Sequence, residues 1–153
     1  MNLKALGLFF AGLLVLALQA ATGVAQSSTD ACSLLTPAQV SAAVGAQVSA
    51  GVYMTPTFKA TCNWTAPGKI ITLMTEGTDP FNAGKKPLSP AIQIVPASGI
   101  GDDAYYVVTG PMVALITRKG NTAFKTAVYC SNLPLATLES MESKLATQVA
   151  SEL

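Results

Sequence analysis

Three cysteines, one adjacent pair of aspartates and a complete lack of histidine bound the chemistry open to this chain of 153 residues. Without imidazole there can be no Ser/His or Cys/His nucleophile pair, and the commonest general base and commonest metal ligand are both missing. Asp102 and Asp103 are the adjacent carboxylates. Neighbouring side chains of an extended segment point to opposite faces, so these two are poorly placed to share a proton as a catalytic dyad does. Asp102 follows Gly101 and is read instead as bonding turn backbone. Asp79, Asp102 and Asp103 offer carboxylates to calcium, but no loop has the spacing of a calcium hand. Gly99-Ile100-Gly101 lacks the third glycine and the strand-helix context of a dinucleotide site, and Asn63-Trp64-Thr65, a formal glycosylation acceptor, falls inside a strand pattern. No catalytic residue, metal or cofactor is expected. An enzyme using Cys130 or the Asp102/Asp103 turn is the alternative.

The compartment follows from the first 25 residues. Lys4 is the only charge before Asp30, and residues 5–18 form an apolar run broken only by glycine. Such a run suits an export signal and is shorter than the roughly 20 apolar residues that span a bilayer. Small residues at Gly23-Val24-Ala25 place cleavage after Ala25, leaving a single domain over 26–153. Nine Lys and Arg stand against eight Asp and Glu, and loss of Lys4 with the leader makes the two equal. A neutral chain with one arginine has no footprint for phosphate backbones. Its lysines do not cluster as recruitment to anionic membranes requires. Nucleic acid and, after cleavage, the membrane are therefore excluded as partners, leaving a protein or a small molecule.

In an oxidising compartment three cysteines are read as one disulfide and a leftover thiol. Spacing alone does not decide the pairing. Cys32 lies in an adaptable segment ahead of a helix and Cys62 shares a strand face with Trp64, which favours Cys32 with Cys62. Cys130 ends a strand on the side of Phe124 and Val128, as a buried, inert thiol. Asp30 and the polar residues before it separate Cys32 from the apolar run, against a lipid anchor there.

The elements that must position these groups are well marked. Thr36-Pro37-Ala38-Gln39 combines an N-cap, a first-turn proline and a capping-box glutamine, with Leu35 and Val40 spaced as a hydrophobic staple. Gly45 ends that helix, predicted over 37–44. Strands are predicted over 48–54, 60–66, 70–76, 104–109, 112–118 and 122–130 from their β-branched and aromatic content. Pro67-Gly68, Gly110-Pro111 and Lys119-Gly120-Asn121 supply tight turns, hence antiparallel neighbours. A last helix from about Asn132 or Pro134 carries Leu138, Met141, Leu145 and Val149 as its apolar stripe. The fold expected is α+β: one antiparallel sheet of about six strands, with a short N-terminal helix and a longer C-terminal amphipathic helix packed on it.

Residues 77–101 lose periodicity and carry four prolines. Asp79-Pro80-Phe81 can open a turn of helix, and Ile92, Ile94 and Val95 suggest contact with the sheet. Long aperiodic segments concentrate binding residues. Phe81, Asp103 and Tyr106 are accordingly expected at the rim of an interaction surface, with Phe81 pinning the loop to the core as the alternative. The function read from these features is an exported, non-enzymatic binding or interaction domain.

Residues 31–40 around Cys32 and the capped helix, Cys62-Asn63-Trp64, the stretch 99–105 and the hairpin 118–123 together resemble a group of small bacterial exported proteins of unknown function, many of them lipoproteins. The chain departs from that group at Cys32, which is not at a lipid-attachment position, and in having Cys130. The resemblance implies this fold and supports the Cys32 to Cys62 pair. It implies no activity.

Overall fold

The computed structural model describes residues 29–153, so the expected leader and its cleavage site lie outside the described residues. The elements are α1 (Pro37–Val44), β1 (Val52–Thr55), β2 (Phe58–Ala66), β3 (Lys69–Glu76), α2 (Thr78–Gly84), β4 (Ile92–Ala97), β5 (Asp103–Thr109), β6 (Met112–Lys119), β7 (Thr122–Tyr129) and α3 (Leu135–Glu152). All seven strands form one antiparallel sheet in the order β1-β2-β3-β7-β6-β5-β4. The class is α+β, with one strand more than expected.

Local chemistry sets α1. The Gln39 N–H donates to Thr36 Oγ1 at 3.3 Å, the Thr36 N–H donates to Gln39 Oε1 at 2.8 Å, and Gly45 closes the helix at φ 65°. Helix α3 starts after Pro134 and lies with α1 on one sheet face. Between them and the sheet is the main core, with Trp64, Ile71, Leu73, Leu115, Phe124, Leu145 and Val149 all buried. No helix among the described residues is long and apolar enough to cross a membrane.

Cys32 and Cys62 are joined by a disulfide. Asp30 organises the segment leading into it. Its carboxylate accepts the Cys32 N–H at 3.1 Å and the Tyr53 hydroxyl at 2.9 Å, with Lys59 at 3.6 Å. These bonds, the Tyr53 hydroxyl first, hold the Asp30 carboxyl below the usual carboxylate range. The cross-link therefore tethers the entry of the chain to β1 and β2.

Two departures from the expected strands have physical causes. The first strand starts at Val52, not residue 48, because the preceding residues bond elsewhere: Val48 N–H to Ser41 Oγ at 3.1 Å and Ser49 N–H to the Thr65 carbonyl at 2.8 Å. Gly51 must also approach closely, since a Cβ there would lie 2.8 Å from both Cys62 Sγ and Trp64 Nε1. The extra strand, β4, comes from the segment expected to be irregular. It is a sheet edge, where Pro96 can stand without breaking a central ladder. Helix α2 lies on the route from β3 to that far edge, packed over β6 and β7.

Candidate functional site

Helix α2 lies on the sheet face away from α3. Phe81 is its buried anchor, sharing a small second core with Tyr105, Ile116 and Ala123. The rings of Phe81 and Tyr105 are 5.2 Å apart and tilted, and the Tyr105 hydroxyl donates to the Phe81 carbonyl at 2.9 Å. Burial, then the charges of Glu76 and Asp103, pushes the Tyr105 phenol up to about 12, so it remains a neutral donor. Gly84 lets the end of α2 approach, because any Cβ there would overlap the Tyr105 hydroxyl.

Beside this second core, Pro87, Ile94, Pro96 and Tyr105 line a cleft of about 430 Å³. Lys85, just after α2, and Asp103, opening β5, form a partly exposed ion pair at its rim. Arg118 faces Asp103 across the β5–β6 ladder, and its guanidinium lies 5.9 Å from the Phe81 ring centroid. The Lys85 ammonium is 5.0 Å from the same ring. The rim thus carries one cation paired with one carboxylate above an apolar floor, and Arg118 stands outside the lining, beside Phe81.

Asp102 belongs to a different structure. Its N–H donates to the Arg118 carbonyl at 2.8 Å, its carboxylate accepts the Gly120 N–H at 2.8 Å, and Lys119 stands 3.2 Å away. The Gly120 N–H is the main reason its carboxyl sits below the ordinary range. Asp102 therefore bonds turn backbone as expected, but the turn is the facing β6–β7 hairpin. Gly101 precedes it at φ 59°, where a Cβ would lie 2.5 Å from the Arg118 carbonyl oxygen. Asp102 and Asp103 diverge to separate partners and share no site.

Comparison with family models, curated proteins and solved structures returns no match.

Of the three side chains expected at one rim, only Asp103 lies there. Phe81 is fully buried and holds α2 to the sheet, which is the alternative role. Tyr106 points to the opposite face, as its neighbour Tyr105 requires. It is half-buried under α3, with its hydroxyl 2.6 Å from Ser143 Oγ and 3.4 Å from the Glu139 carbonyl. Cys130 is a free thiol just past the end of β7, half-buried where full burial was expected.

The buried carboxylate of Glu142 escaped the sequence reading. It sits in the core between α3 and the sheet, with Oε1 accepting the Val128 N–H at 3.0 Å and Oε2 without a hydrogen-bond partner. Burial pushes its carboxyl up to about 8, against a smaller lowering by the Val128 and Leu115 amides. The signal was available: Leu138, Glu142, Leu145 and Val149 repeat at steps of four, three and four, which puts Glu142 on the apolar stripe.

Proposed function

We propose that the chain is a non-catalytic binding domain acting outside the cytoplasm, and that it takes a small organic anion with an apolar body in the cleft between α2 and β4–β5. The observation that carries this reading is the joining of an apolar floor, Pro87, Ile94, Pro96 and Tyr105, to a rim whose one cation, Lys85, is held by a partly exposed ion pair with Asp103 that a ligand anion can replace. Concave apolar sites with a few placed polar groups are the usual form of ligand pockets. The ligand's anionic group displaces Asp103 from Lys85, and its apolar part rests on Ile94 and Pro96. The Cys32–Cys62 disulfide fits an oxidising compartment. Export through the N-terminal leader, and kinship with the small exported bacterial proteins that the sequence resembles, are parts of the same proposal.

The test uses 8-anilinonaphthalene-1-sulfonate, which combines an apolar body with one negative charge. Fluorescence titration of the folded protein should give saturable binding at one site. Ile94→Asp should weaken it about tenfold or more, by placing a carboxylate in the floor. Asp103→Asn should strengthen it and Lys85→Ala should weaken it, each by up to about fivefold as befits an exposed pair. Equal affinity in all four proteins would place the probe elsewhere and defeat the reading.

A further inference from the structure

The β6–β7 ladder is incomplete. Its register runs from Lys119/Thr122 to Leu115/Thr126 and stops. Beyond that point Met112 and Val113 stay paired with Thr109 and Val108 of β5, while Ala127, Val128 and Tyr129 stay paired with Thr72, Ile71 and Ile70 of β3. The sheet forks there, leaving the Val128 N–H without a strand partner on its β6 side. A buried backbone donor left unmatched is destabilising, and the acceptor that meets this one is the Glu142 side chain of α3. The Thr126 hydroxyl donates to the Glu142 carbonyl at 3.3 Å, adding a second link between helix and fork.

We propose that Glu142 is a pH-sensitive latch, holding α3 in the fork between β6 and β7 while neutral and letting the fork open when it ionises. The surroundings explain why one protonation state is accepted and the other is not. The α3-facing side chains of β6 are Val113, Leu115 and Thr117, and those of β7 are Phe124, Thr126 and Val128; none carries charge. Helix α1 contains no ionisable residue. Strand β5 presents Tyr106, whose hydroxyl is engaged by Ser143. On α3 itself the acting charge is Glu139, which is of the same sign. Arg118 and Lys125 stand on the other sheet face by strand alternation, and no lysine or arginine forms an ion pair with Glu142 among the described residues. When its proton leaves to solvent, the negative charge remains in an apolar seam with one firm hydrogen bond, so the seam must admit water or release the helix. The open end of the fork already borders a cavity of about 210 Å³ lined in part by Met112, Val113, Val128, Cys130 and Leu138. Opening the latch enlarges the apolar surface available there.

Two measurements on the folded protein test this, independently of the cleft. The first is a carbon-detected NMR titration of the Glu142 carboxyl, which should have its midpoint far above 4.5; an ordinary midpoint overturns the proposal even if no variant folds. The second is amide hydrogen exchange at pH 6 and pH 9, corrected for intrinsic rates. Protection of the Val128 amide should fall at the higher pH by about tenfold or more beyond the loss at Ile71 and Leu73 in the β2–β3 ladder, which follows global stability. In Glu142→Gln, which keeps the acceptor oxygen and cannot ionise, Val128 protection should be the same at both pH values. Flat Val128 protection in the wild-type protein, or an equal loss at all three amides, overturns the latch.

Discussion

The Val128 N–H donates to Glu142 Oε1 at 3.0 Å, joining the long C-terminal helix to the sheet where β6 and β7 part. The bond links two stretches of chain through a group that is normally charged and is here buried among apolar side chains. Its consequences for stability have a definite sign.

Folded, the Glu142 carboxyl is raised to about 8 by burial; unfolded, it titrates near 4.5. The folded state therefore holds its proton more tightly. Stability is greatest at and below the range where a free glutamate titrates, declines as pH rises toward 8, and levels off above it. The full loss from this group should be about 3 to 5 kcal/mol. Urea unfolding at pH 5, 7 and 9 should show the decline in the wild-type protein. Glu142→Gln should lack most of it, and should be the more stable of the two at pH 9.

Removing the cross-link with Cys32→Ser and Cys62→Ser together should lower stability by roughly 3 to 4 kcal/mol, the chain-entropy value for a loop of this length. Denaturant midpoints should move to the same degree when the wild-type protein is reduced. Cys130→Ser should move them by less than about 1 kcal/mol, because that thiol is half-buried at the end of a strand.

Phe81 and Gly84 hold α2 against Tyr105. Phe81→Ala should cost about 3 to 5 kcal/mol through the cavity it leaves. Gly84→Ala should destabilise by about 1 to 3 kcal/mol through its overlap with the Tyr105 hydroxyl. Thermal unfolding of the two variants measures this. A surface role for Phe81 would leave the midpoint unchanged.

What the sequence made legible was local. The bounds of α1 followed from Thr36, Pro37, Gln39 and Gly45, because a helix end is satisfied by its immediate neighbours. The β6–β7 hairpin followed from Gly120 and Asn121 for the same reason. Pairing Cys32 with Cys62 needed only the accessibility of a segment and the face of a strand. What stayed hidden depends on distant chain. Phe81 is buried because α2 crosses to β6 and β7, and no pattern within residues 77–101 encodes that destination. Tyr106 turns away from the cleft because the face of β5 lined by Tyr105 is the one that α2 covers. The pairing of β4 with β5 gives Ile94 and Pro96 to the cleft floor, yet an edge strand bearing a proline leaves a weak signal. Glu142 was overlooked for a different reason: its spacing is that of a core residue, its chemistry that of a surface one, and only the fork beneath it reconciles the two.

The most direct test of the binding account is amide chemical-shift mapping of the folded protein during titration with 8-anilinonaphthalene-1-sulfonate. The account predicts that the largest shifts cluster at Lys85, Ile94, Asp103 and Tyr105, around the cleft. The outcome that contradicts it is a cluster at the exposed Val52, Ile70 and Tyr129 on the uncovered part of the sheet, with the cleft residues unmoved.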